Sequence, residues 1–163
     1  MKKAMAVVLM ALSVLSGCGG RETGDQDRAW YENYEFRVGL QFPADWEPAE
    51  GYENRYEGPG GYVQLAGIGG SGLQLAQVTR EQTTHRLNPY GSEPEIFAPE
   101  NSALPALLIL PSEDQDPRHQ GLAALVVRLP EPVRTSGGEY SFLIVWADRG
   151  HIRQLAGTLT CLP

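Results

Sequence analysis

Tyr140-Ser141-Phe142-Leu143-Ile144-Val145-Trp146-Ala147 is apolar at every position except Ser141. An alternating strand has one dry face, whereas a run of this kind has two. Ala106 to Leu110 and Leu122 to Val127 have the same character. Together they predict central strands of a sheet that is covered on both faces. Upstream, Phe36, Val38, Leu40 and Phe42 alternate with Arg37, Gly39 and Gln41, a strand with one dry face that Pro43 stops. Tyr62 to Ile68 predicts another strand, entered from the turn Gly58-Pro59-Gly60-Gly61 and broken by Gly69 to Gly72. Glu95 to Ala98 predicts a short one.

Two helices complete the pattern. Leu73 to Leu87 lacks Gly and Pro and is rich in Gln, Leu, Arg and Thr; Asn88-Pro89-Tyr90-Gly91 ends it. Asp148 reads as an N-cap, with Ile152, Leu155, Ala156 and Leu159 following at helical spacing. The order is β-β-α-β-β-β-β-α. Strands cluster instead of alternating with helices, so the expected class is α+β, a mainly antiparallel sheet with flanking helices.

The beginning of the chain is an address. Lys2 and Lys3 precede Ala4 to Leu15, in which Ser13 is the only polar residue. Twelve residues are too short to span a hydrocarbon core of about 30 Å and match a secretory h-region. Leu15-Ser16-Gly17-Cys18 looks like the lipobox of bacterial lipoproteins, in which the thiol takes a diacylglyceryl group and becomes the first mature residue. The expected organisation is a signal peptide over 1–17, a lipidated tether over 18–29 and one folded domain over 30–163. The anchor would place that domain at the cell membrane, on its extracytoplasmic face.

Charge narrows the partners. The chain has 13 basic and 20 acidic residues, and both of its lysines are in the leader. Without them, 11 basic residues face 20 acidic ones, a net of -9. A nucleic-acid partner needs a basic face to release counterions and is not expected. Once Cys18 is lipidated, Cys161 has no intramolecular partner and reads as a small buried hydrophobe.

The stretch Phe36 to Pro43 with Ala44-Asp45-Trp46 resembles the opening of PsbP-like domains, which implies an α/β/α sandwich. Arg55-Tyr56-Glu57-Gly58, His85-Arg86-Leu87-Asn88-Pro89-Tyr90-Gly91-Ser92, Leu110-Pro111-Ser112-Glu113-Asp114-Gln115 and Trp146-Ala147-Asp148 with His151-Ile152 extend the likeness. They are similar to short extracytoplasmic domains of Firmicutes-type bacteria. Those occur alone on lipoproteins, or appended to TolB-like proteins and to antirepressor-type membrane metallopeptidases. The resemblance implies fold and location but no activity, and no HExxH motif is present to carry a peptidase function.

Successive antiparallel neighbours would bring the loops 88–93, 111–121 and 148–151 to one end of the sheet. His85, Tyr90, Ser112, Asp114, Asp148 and His151 would then share a rim, with Asp116 and His119 beside them. Its functional reading is a binding site for a metal, an anion or a peptide; its bland reading is ordinary loop polarity, with Asp148 as a cap. No catalytic motif, phosphate loop or dinucleotide fingerprint is present. No cofactor is expected. Of the neighbouring aromatics Tyr52, Tyr56, Tyr62 and Trp46, half are expected in the core and half free to stack on a sugar or peptide. The leading expectation is a binding, sensing or accessory module of the cell envelope, whose partner is another envelope protein or a small ligand. The alternatives are a small hydrolase-type enzyme using His85, Asp114 and His151, and a passive structural subunit.

Overall fold

The structure, a computed structural model, describes residues 27–84 and 86–163. The expected leader, Cys18, most of the tether and His85 lie outside the described residues. The tether ends earlier than expected, because Arg28–Asn33 already forms strand β1. It pairs antiparallel with β2 (Val38–Pro43), Trp30 opposite Gln41. Tyr31 explains the pairing: its ring packs 5.6 Å from that of Phe42, and Trp30 lies over Gly39, which has no side chain to obstruct it. A Cβ at Gly39 would fall 2.2 Å from Trp30 Cζ2.

Two sheets form. The larger runs in the order β3 (Glu47–Pro48), β4 (Arg55–Gly58), β5 (Gly61–Ile68), β9 (Gly138–Asp148), β8 (Leu122–Thr135), β7 (Ala106–Leu110), β6 (Glu95–Phe97). The smaller runs β1, β2, β10 (Thr160–Cys161). Every pairing in both is antiparallel. With helices α1 (Leu75–Thr83) and α2 (Ile152–Thr158), the chain is α+β with a mainly antiparallel sheet.

The apolar runs are dry on both faces, as their composition requires. Leu143, Val145, Leu125 and Val127 join a core with Val38 and Leu40 of β2 and with Ile152 and Leu155 of α2. Phe142, Ile144, Ala124 and Val126 join a second core with Ile109, Val78 of α1 and Tyr90. The smaller sheet and α2 therefore cover one face of the larger sheet, and α1 covers part of the other.

The departures have local causes. Helix α1 stops at Thr83, short of the expected Leu87, where Thr83 and Thr84 bend their hydroxyls back to the carbonyls of Arg80 and Glu81. Strand β8 outruns the apolar stretch Leu122 to Val127: it continues to Thr135 past a register shift between Arg128 and Val133. Pro130 and Pro132 sit in that shift because neither has an N–H for the ladder. Asp148 does not cap α2 directly. His151 holds the cap position, and Asp148 Oδ1 accepts from the N–H groups of Gly150 and His151 in the preceding turn. Cys161, expected to be buried, is exposed on the two-residue strand β10 at the edge of the small sheet. Partial desolvation raises its thiol pKa above the ordinary value.

Candidate functional site

The loops meet at one end of the larger sheet, following the antiparallel succession. Ser112 N–H donates to the Tyr90 carbonyl at 2.9 Å, and Arg149 N–H to the Gly121 carbonyl at 2.8 Å. The polar side chains there separate into two sets with no shared contact.

The first set is a loop brace. Ser112 Oγ bonds Asp114 Oδ1, and Asp114 accepts from Ser92 N–H at 3.1 Å. Gly91 makes room for this at φ 84°, since a Cβ there would lie 2.1 Å from Ser112 Oγ. The hydrogen bonds from Ser112 and then Ser92 stabilise the charged carboxylate and hold the Asp114 pKa at about 2. Tyr90 is buried, and its hydroxyl accepts from Trp146 Nε1 at 3.1 Å. Burial pushes its pKa up to about 12.

The second set ties β5 to α2. His151 Nδ1 lies 2.8 Å from Asp148 Oδ2. The same carboxylate accepts from Tyr62 N–H at 3.4 Å and Gly150 N–H at 2.9 Å. The His151 ring stands edge-on to Trp46, centroids 4.9 Å apart. Among the described residues no hydroxyl or thiol hydrogen-bonds this histidine. Asp114 and His151, two of the residues of the hydrolase alternative, belong to different sets, and His85 is outside the described residues. Among the described residues no three metal-ligating side chains converge. Asp116 starts the short 3-10 turn Pro117–His119 and pairs with Arg118, which depresses its carboxyl far below the ordinary range.

Between the two sets lies an open groove. Helix α1 packs over β7 and β8, and its core reaches Phe142 and Ile144 of β9; farther along the same face Arg55, Gln64 and Trp146 stay only half-buried. Cross-strand partners share a face. One row across the sheet is therefore Arg55, Gln64, Trp146, Ala124, and the next begins with Glu57 and Tyr62. The side chains of Arg118, His119 and Gln120 wall the groove, which encloses about 460 Å³. Arg55 is held in place: its guanidinium stands 4.4 Å over the Tyr62 ring and 4.9 Å over that of Tyr52. Its Nε donates to Glu57 at 3.0 Å and its Nη1 to Gln64 at 3.4 Å. Burial first, and then the Asp148 charge, raise the Tyr62 pKa to about 12 against the opposing pull of Arg55.

Among the described residues, His119 is the rim histidine that lines this groove. Arg55, Gln64, Trp146 and Gln120 were not singled out as site residues from sequence. The alternation Tyr62, Gln64 along β5 was the available signal, since a strand packed on both faces would not carry Gln there. The aromatic group divides as expected: Trp46 and Tyr56 pack in or against the core, Tyr52 is 60 % exposed, and Tyr62 lines the groove. What the groove offers is hydrogen bonding and stacking. No protein-family model matches the chain, and no curated protein matches it.

Proposed function

We propose that the chain is a membrane-anchored extracytoplasmic lipoprotein whose folded domain is a binding module of the cell envelope. One observation carries the binding part: the row Arg55, Gln64, Trp146, a charged, an amide and an aromatic side chain left half-exposed at the end of a sheet face whose other part α1 covers. Convergent polar groups beside aromatic surface in a concavity are the composition of a ligand site. The location part rests on Leu15-Ser16-Gly17-Cys18 and the short apolar segment before it. Among the described residues no helix is long and apolar enough to cross a membrane, and acyl chains on Cys18 supply the attachment in this reading. The acidic domain would be repelled by anionic headgroups, so the lipid alone holds it there.

Cys18→Ser tests the location. In cells fed an alkyne analogue of palmitate, the wild-type chain is expected to be labelled and to sediment with membranes. The variant is expected to be unlabelled and to lose essentially all of its membrane fraction. A wild-type chain that stays unlabelled overturns the lipoprotein reading.

A further inference from the structure

We propose that the groove over β4, β5 and β9 binds a carboxylated saccharide, with a sugar face on Trp146 and Tyr62 and the carboxylate at Arg55. This rests on the binding reading above and adds the class of ligand. The size fits: about 460 Å³ lies within the range of small-molecule sites. The shape of the chemistry also fits. A pyranose ring has an apolar C–H face and a rim of hydroxyls. Trp146 and Tyr62 offer aromatic surface for the face, and Gln64 and Gln120 each offer an acceptor and two donors for the rim. Trp146 is pre-positioned, because its N–H is already bound to Tyr90 and its ring is only half-buried. A purely apolar ligand would leave these amides and the guanidinium unpaired, which costs binding energy.

Charge selects the acidic sugar. Among the described residues the titratable side chains lining the groove are Arg55, Arg118, His119 and Tyr62, while Glu57 and Asp148 line the adjoining hollow on the far side of Arg55 and Tyr62. The carboxylates around it are engaged: Glu57 with Arg55 Nε, Asp116 with Arg118, Asp148 with His151. Arg55 has five N–H donors. Its hydrogen bonds to Glu57 and Gln64 use two of them, and the others have no acceptor among the described residues. The stacking on Tyr52 and Tyr62 fixes the guanidinium plane before a ligand arrives, which lowers the entropy cost of a forked bond to a carboxylate.

The test titrates the full-length chain in detergent micelles by calorimetry and tryptophan fluorescence. The probes are N-acetylmuramic acid, N-acetylglucosamine, which lacks the lactyl ether, and lactate alone. The acidic sugar is expected to bind about tenfold or more tightly than the neutral one, the worth of a charge-assisted hydrogen bond, and lactate alone to give no signal. Arg55→Gln should bring the two sugars within about twofold of each other, and Gln120→Ala, in an exposed loop, should weaken both. Thermal melting confirms that each variant is folded. Equal affinity for the two sugars in the wild type overturns the acidic assignment. No heat from either sugar at about 10 mM overturns the saccharide class, since a site this open should reach millimolar affinity for its own ligand. Neither result touches the binding reading, which crosslinking in membranes measures separately.

Discussion

Phe142→Ala should destabilise the domain by about 3–5 kcal/mol and Leu143→Ala by about 2–5 kcal/mol, although the two residues are chain neighbours on opposite faces of β9. In an antiparallel sheet with one wet face, one of these changes would be nearly silent. Here neither face is wet at the centre. Phe142 is 1 % exposed and packs toward α1's core; Leu143 is 0 % exposed and packs toward β2 and α2. Each truncation leaves a void whose walls, β8 and β5, are held in register by the ladder and relax little. Urea denaturation checks both. The denaturation slope should stay constant while the midpoint falls. A loss under about 1 kcal/mol for either one contradicts the two-sided core.

Gly61→Ala should cost about 1–3 kcal/mol by overpacking, a large penalty for one methyl group. Gly61 begins β5 beneath three fixed groups. A Cβ there would lie 2.3 Å from Asp148 Oδ2, 2.7 Å from His151 Nδ1 and 2.9 Å from Trp46 Cζ2. None of the three yields easily. Asp148 is bound to three backbone N–H groups, His151 is bound to Asp148, and Trp46 is 5 % exposed between Phe42 and the Gly58 turn. Displacing them loosens the junction of β5, β9 and α2. Gly157→Ala in α2 is the control: a Cβ there meets nothing within 4 Å, and helix propensity should leave stability unchanged or raise it by about 0.5–1 kcal/mol. Equal melting temperatures for the two variants would mean that the Asp148–His151 pair moves freely.

Much of this architecture could be read from residues alone because burial on two faces leaves a mark. Leu122 to Val127 and Tyr140 to Ala147 contain no polar alternation, and the only arrangement that hides both sides is the middle of a covered sheet. The antiparallel succession of those strands also foretold which loops meet at one end. Strand β1 left no such mark: its exposure alternates between open and half-covered, and its reason for pairing, Trp30 over Gly39, lies on another strand. Strand β10 has two residues, too few for any period. Asp148 shows a different limit. An aspartate ahead of a helix reads as a cap whether it bonds the first helical turn or, as here, the turn before it.

The groove was hidden for a tertiary reason. Trp146 sits in an apolar run and reads as core, and its lower edge is core, bound to Tyr90. The rest of it is half-exposed because the core under α1 takes in Phe142 and Ile144 of β9 and reaches only part of Trp146. No single strand records where a helix lands sideways on a sheet. The polar loop residues at the same end, Ser112, Asp114, Asp148 and His151, drew attention by their chemistry, but their hydrogen bonds are spent on holding loops together. The side chains with donors to spare, Arg55 among them, stand on the strands beside them.

A binding module must hold something in its groove while anchored in the envelope, and site-specific photocrosslinking in intact membranes measures that directly. A benzophenone amino acid replaces Gln120 at the groove wall or, in a second sample, Glu131 at the far end of β8; both positions are exposed. The expected result is a discrete adduct of envelope material from position 120 and none from position 131. No adduct from 120, or the same adducts from both positions, would contradict a binding site in the groove.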